Sequence, residues 1–402
     1  MKIYFKLLPI LLAFMLSPFA FGARSIPKKK LSSKSKVSAT RKSASRAGRK
    51  TKSKVLLASK RRGRHGRLLA GAAHGLRSRH PVWVQTWDEP SFRESTGGDN
   101  LDGEDLEVRR AAVQALGPYN GSVIVVDSTN GRVLTMVNQK TALGPGFQPC
   151  STIKVSVALA ALHEKIIGRT SPVHLFGRTH MDLTNALAHS NNFYFANLGV
   201  KLGYERVRNY AHMFGYGEKA GLNIAGEQAG SFPSAPPKNG GMGMLTSFGE
   251  EIHQTPLELA GLMTAIANGG TLYYLQYPKN TEEIKSFQPK VKRRLDLIAP
   301  LIDDIKPGMQ GAVEFGTARR AKQEAILYGK TGTCSEGKTR LGWFGSFSEV
   351  GKRKLVVVVM LTGGKPTIGP VAAGVAGDVY RNLAQLKGLQ TDLPPTVASL
   401  IP

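Results

Sequence analysis

Apolar residues at Leu106, Ala111, Val113 and Leu116, closed by Gly117, have helical spacing and predict a helix over residues 106–116. Two short runs rich in β-branched residues follow, 122–126 and 133–137, and Asn130-Gly131 between them marks a tight hairpin turn. From residue 151 to about 165 the chain is Ala-rich and largely apolar, the pattern of a buried helix. Further helices are expected at 181–189, 193–202, 204–214, 256–267 and 309–320, separated by Gly- and Pro-rich turns. Strands return at 326–331, 342–347 and 354–361, and Val356-Val357-Val358-Val359 suits a strand buried on both faces. A helix over about 370–386 ends the pattern. Strands at the two ends of the domain with helices between them predict an α+β fold: a largely antiparallel β-sheet flanked by helices, with an all-helical lobe.

Composition divides the 402 residues further. Lys2 and Lys6 precede an uncharged stretch that ends in the small residues Ala20 and Gly22, so residues 1–23 read as a secretory signal, with a retained membrane anchor as the alternative. Either reading exports the chain to the periplasm or cell envelope, the second with anchorage to the inner membrane. Residues 24–87 hold 20 Lys and Arg and no Asp or Glu, so most of the net charge of +27 lies in a basic arm unable to bury a core. Two readings of the arm stand side by side: attachment through residues 24–80 to an anionic envelope surface, or a solvated spacer. Nucleic acid is not expected as a partner of an exported chain. A folded domain is expected over 88–390, with a short tail at 391–402. The two cysteines, Cys150 and Cys334, invite a disulfide in an oxidising compartment. Internal repeats, a phosphate-binding G-x-x-x-x-G-K-[ST] loop and histidine spacing suited to a metal do not occur.

The candidate chemistry begins at Ser151 and Lys154. Residues three apart share a helix face, so Lys154 can reach the Ser151 hydroxyl and take the proton that makes a serine a poor nucleophile. The S-x-x-K pattern occurs four times, at Ser25, Ser33, Ser151 and Ser335, but only Ser151 opens an apolar helical run. On that stretch alone, a serine capping a core helix is the better explanation of the residue. Ser190-Asn191-Asn192 adds a second hydroxyl and a carboxamide. Lys330-Thr331-Gly332-Thr333 ends a predicted strand, where Gly332 permits close approach of a ligand and Lys330 supplies a fixed charge. In the order S-x-x-K, S-x-N, K-T-G, these elements form the signature of the penicillin-recognising serine enzymes.

Over roughly residues 105–388 the chain resembles the transpeptidase domain of penicillin-binding proteins. Stretches 186–195, 226–230, 255–260, 267–270, 308–309 with 316–318, and 342–344 are also similar to family segments. The resemblance implies that Ser151 attacks a D-alanyl-D-alanine peptide, or a β-lactam, to give an acyl-enzyme. Lys154, its pKa lowered beside Lys330, is then the base, and Ser190 relays a proton to the leaving amine. Asn192 would bind the peptide chain. Lys330 with the hydroxyls of Thr331 and Thr333 would hold the terminal carboxylate along the strand that Gly332 opens. The backbone N–H groups of Ser151 and Thr333 would form the oxyanion hole. No cofactor and no metal are expected; the partners are peptidoglycan stem peptides, with β-lactams as inhibitors or substrates.

Three departures accompany the resemblance. Cys150 precedes the nucleophile and Cys334 follows Thr333; some carbapenem-hydrolysing class A β-lactamases carry a disulfide at the matching positions, which implies a Cys150–Cys334 bridge here. Only 39 residues separate Ser151 from Ser190, which implies a trimmed helical lobe. The arm is expected to lead almost directly into the catalytic domain, without a glycosyltransferase or pedestal domain. The leading expectation is a D,D-transpeptidase or D,D-carboxypeptidase. The alternatives are a β-lactamase of class A or D type and a non-catalytic β-lactam or muropeptide sensor.

Overall fold

A computed structural model describes residues 86–222, 224–350 and 353–391. The export signal, almost all of the basic arm and the tail from residue 392 lie outside the described residues. The Asn130-Gly131 turn closes the expected hairpin, β1 (Gly121–Asp127) against β2 (Arg132–Val137), with Gly131 at φ 78°. Three long strands complete the sheet: β3 (Leu327–Glu336), β4 (Thr339–Val350) and β5 (Arg353–Gly363). The spatial order is β2-β1-β5-β4-β3, and every pairing in it is antiparallel. β5 is therefore central, which explains its valine run: Val356 to Val359 are all fully buried. β3, with the K-T-G residues, is an edge strand.

Because side chains alternate across a strand, the sheet feeds two separate cores. Val123, Val125, Val357 and Val359 pack towards helix α1 (Leu106–Leu116) and the closing helix, Gly369–Thr391. Ile124, Val126, Val356 and Val358 face the helices that occupy the middle of the chain. Those helices are α2 (Lys154–His163), α3 (Leu183–Ala188), α4 (Asn192–Leu202), α5 (Tyr204–Met213), α6 (Gly241–Phe248), α7 (Pro256–Ala267) and α8 (Ile302–Glu314), followed after the sheet by α9 (Gly369–Thr391). α7 has the bounds its sequence predicts because Thr255 and Glu258 form a reciprocal capping box and Pro256 occupies the first turn.

The mismatches have local causes. α8 begins at Ile302, earlier than its expected start at residue 309, and carries Pro307 inside it, so the Pro307-Gly308 pair that reads as a breaker is absorbed by packing. Gly308 leaves room for α3: a Cβ there would lie 2.7 Å from Leu187 Cβ. α6 has no obvious sequence signature, since Gly240, Gly241 and Gly243 mask it. A small hairpin, Val173–Phe176 with Thr179–Met181, occupies the short interval between α2 and α3. Among the described residues no helix is long and apolar enough to cross a membrane.

Candidate active site

Ser151 stands not in α2 itself but in the 3-10 turn that leads into it, Cys150–Ile153. Cys150 takes φ 53°, in the left-handed region that disfavours residues with a Cβ by roughly 1–2 kcal/mol. Two features hold it there. A disulfide joins Cys150 to Cys334 at the end of β3, with Cα atoms 5.5 Å apart. Strand and turn also meet closely, since a Cβ on Gly332 would lie 2.9 Å from Pro149 O and 3.2 Å from Cys150 Cβ. Glycine at 332 thus seats the nucleophile's turn against the strand.

Lys154, fully buried at the start of α2, is the hub. Its Nζ lies 2.9 Å from Ser151 Oγ, 3.1 Å from Ser190 Oγ, 2.8 Å from Ser190 O and 2.6 Å from Asn192 Oδ1. The rings of Phe195 and Phe248 wall it at 5.6 and 5.9 Å from their centroids. Burial pushes its pKa well below the ordinary lysine value, and the Lys330 charge pushes the same way. A neutral amine keeps a lone pair, which can accept the Ser151 proton.

Ser190 follows α3 in a left-handed turn at φ 55°, while Asn191 caps α4 by accepting from the Tyr194 N–H at 2.9 Å. The middle residue of the S-x-N motif is thus spent on capping, which turns Ser190 and Asn192 toward Lys154. From the opposite wall, fully buried Lys330 donates to Ser190 Oγ at 2.8 Å and to Thr331 O at 3.0 Å. Burial lowers the Lys330 pKa to about 7. Ser190 Oγ therefore sits between two lysine amines, a connected path for a proton.

The structure ties Ser151, Lys154, Ser190, Asn192 and Lys330 into one cluster, with Thr331, Gly332 and Thr333 on the strand beside it, but the two threonine hydroxyls already have partners. Thr331 Oγ1 lies 2.6 Å from Thr317 Oγ1, and Thr333 Oγ1 accepts from the Gly369 N–H at 2.8 Å. Two contributors escaped the sequence reading. Ser247, near the end of α6, offers its carbonyl to the Ser151 hydroxyl at 3.4 Å and donates its own hydroxyl to Asn192 O at 2.8 Å. Thr317 lies in a family-like stretch but shows no role until the fold sets it beside Thr331. Among the described residues no group of three or more His, Cys, Asp or Glu is arranged to hold a metal ion.

An antiparallel sheet with a helical lobe, and a serine–lysine–serine cluster between them, define a penicillin-recognising serine protein. Residues 121–382 match the family model of the penicillin binding protein transpeptidase domain, and the chain belongs to that family. It is 25% identical over 311 residues to Stage V sporulation protein D of Bacillus subtilis, covering 67% of this chain and 48% of that protein. It is 24% identical over 362 residues to the peptidoglycan D,D-transpeptidase MrdA of Haemophilus influenzae, covering 69% and 55%. The chain thus spans about half the length of these curated relatives. Among solved structures, penicillin-binding protein PBPA of Mycobacterium tuberculosis shares the fold with a TM-score of 0.60 at 20% identity, over 70% of this chain and 81% of that one.

Proposed function

We propose that the protein is a serine D,D-transpeptidase that acts on D-Ala-D-Ala stem peptides of peptidoglycan through an acyl-enzyme on Ser151. The observation that carries this reading is the position of the buried Lys154 amine, 2.9 Å from Ser151 Oγ and 3.1 Å from Ser190 Oγ. Neutral Lys154 takes the Ser151 proton as Oγ attacks the penultimate D-Ala carbonyl. The backbone N–H groups of Ser151 and Thr333 receive the developing oxyanion, a role suited to an edge strand with backbone groups facing the cleft. As the tetrahedral adduct collapses, the C–N bond breaks and Ser190 passes a proton from Lys154 to the leaving amine. An acceptor amine then attacks the ester, and the same groups run in reverse. Asn192 holds the peptide; Lys330 with Thr331 and Thr333 holds the carboxylate, and Thr317 orients the Thr331 hydroxyl. The Cys150–Cys334 bridge keeps nucleophile and strand in register.

The bridge also supports an exported protein working in the periplasm or cell envelope, where disulfides persist. The charge of residues 24–80 supports attachment to an anionic envelope surface, which envelope retention with and without that segment measures; unchanged retention leaves a spacer.

Labelling with a fluorescent penicillin, followed by intact mass over time, tests the function. The expected result is one long-lived adduct on Ser151, lost in Ser151→Ala with little change in melting temperature. Release of the adduct within seconds replaces the reading with a β-lactamase, and no adduct on the wild-type chain overturns both.

A further inference from the structure

A second cavity lies on the lobe side of the sheet, at the end of β3 away from Thr333, with a volume of about 480 Å³, within the size range of small-molecule sites. Small side chains create it. Ser128 at the β1–β2 turn, Ala267 at the end of α7 and Ala325 just before β3 leave a gap that the surrounding elements do not fill. Hydrogen bonds fix its walls. Ser128 donates its N–H and its hydroxyl to Lys354 O at 2.9 and 3.0 Å. Ser348 donates its hydroxyl to Ile326 O at 2.7 Å, and Asn268 Nδ2 donates to Ser128 O at 3.1 Å. Apolar surface comes from Tyr328 and Phe347, cross-strand partners that stack with centroids 5.0 Å apart and planes 15° apart, and from Ile326, which is 55% exposed. Two amines complete the lining, Lys306 from α8 and Lys354 from β5, and no carboxylate among the described residues shares it. Lys306 also meets Asp303 at 2.8 Å, but that carboxylate is 84% exposed, and such a pair contributes little.

We propose that this cavity is a second ligand site, for a small anionic amphiphile: an apolar body bearing a single sulfonate, phosphate or carboxylate. The lining sorts the ligand by its parts. Tyr328, Phe347 and Ile326 offer apolar surface to the body, and a site of this kind fixes its ligand's orientation through a few placed polar groups. Lys306 and Lys354 supply those groups, and both carry the sign that attracts an acid and repels a cation. An uncharged ligand gains nothing from the amines, and a bare inorganic anion gains nothing from the rings. None of Ser151, Lys154, Ser190, Asn192 and Lys330 lines the cavity, so the site is separate from the reacting cluster.

The test titrates the full chain with anilinonaphthalene sulfonate, which fluoresces on apolar surface, and with phenylnaphthylamine, its uncharged analogue. The parent is expected to bind the sulfonate at one site per chain and at least ~10-fold more tightly than the analogue, a difference of about 1.4 kcal/mol. Lys306→Gln with Lys354→Gln removes that preference, whereas Lys306→Arg with Lys354→Arg keeps it. Ala267→Phe, which fills the gap, weakens both probes at least ~10-fold, or about 1.4 kcal/mol. The basic arm is common to every variant and cancels in the comparison. Displacement of the sulfonate by naphthoate assigns an aryl acid, and displacement by decyl phosphate assigns a lipid-like one; displacement by neither overturns the proposal. A parent without the preference overturns it too, as does a glutamine pair that retains it. No step of the test uses turnover, so its outcome is distinct from that of the transpeptidase reading.

Discussion

The two faces of the central sheet are built to different ends. Against α1 and α9 the sheet meets an apolar layer of Val, Ala and Leu, from Val108 and Leu116 to Val375 and Val379. Against the helical lobe the same strands share their core with two fully buried lysines, Lys154 and Lys330, and a chain of hydroxyls. Burying an ammonium is unfavourable unless it is compensated, and its pKa falls instead. One face is apolar throughout; the other gives stability up to hold a buried amine of lowered pKa against a serine.

The sharpest way to break this contrast is Lys154→Met. It is expected to lower the penicillin acylation rate by at least ~10³-fold, as loss of a serine's activating base does, while the melting temperature stays level or rises because a buried amine is gone. A lower melting temperature would mean that the lysine supports the fold. Next is the double variant Cys150→Ala with Cys334→Ala. Opening a loop of 184 residues is expected to reduce stability by about 3–5 kcal/mol and to slow acylation, measured by denaturant unfolding and stopped-flow labelling. Unchanged acylation would show that Gly332 alone seats the turn. On the other face, Leu116→Ala should cost about 2–5 kcal/mol and leave the acylation rate constant unaltered, since the residue packs in the layer opposite the cleft. A slower rate would join the two faces energetically.

The smallest effect is the pH response. Folded Lys330 loses its proton near 7 and the unfolded chain near 10.5, and Lys154 is shifted in the same direction. Between those values the unfolded state binds more protons, so stability contributed by this face rises with pH between pH 7 and about 9. Denaturant midpoints across that window should show the rise, and it should shrink in Lys330→Met. Acylation should instead fall above about 7 as Lys330 loses the charge facing Ser190.

Much of this was legible in the chain. The Asn130-Gly131 hairpin, the valine run of β5 and the capping box of α7 each carry a local signal, and the structure keeps them where expected. Ser151, Lys154, Ser190, Asn192 and Lys330 were found because their motifs sit at element boundaries with distinctive spacing. Ser247 was not, because a carbonyl leaves no mark on residue type and its helix is disguised by glycines. Thr317 was not, because its meaning comes from a contact with Thr331, 14 residues away across two elements. That Ser151 lies on a 3-10 turn was also hidden, since the left-handed Cys150 that bends it depends on a tertiary bond.

That bond also decides how the chain carries load. The ring it closes runs from Cys150 to Cys334 and contains Ser151, Lys154, Ser190, Asn192 and Lys330–Thr333, whereas β1, β2, β5, α1 and α9 lie outside it. Tension applied between the ends of the polypeptide would pass from β2 through the sulfur atoms into β4. The enclosed segment would carry none of it, and the reacting groups would keep their spacing while the strands outside were pulled.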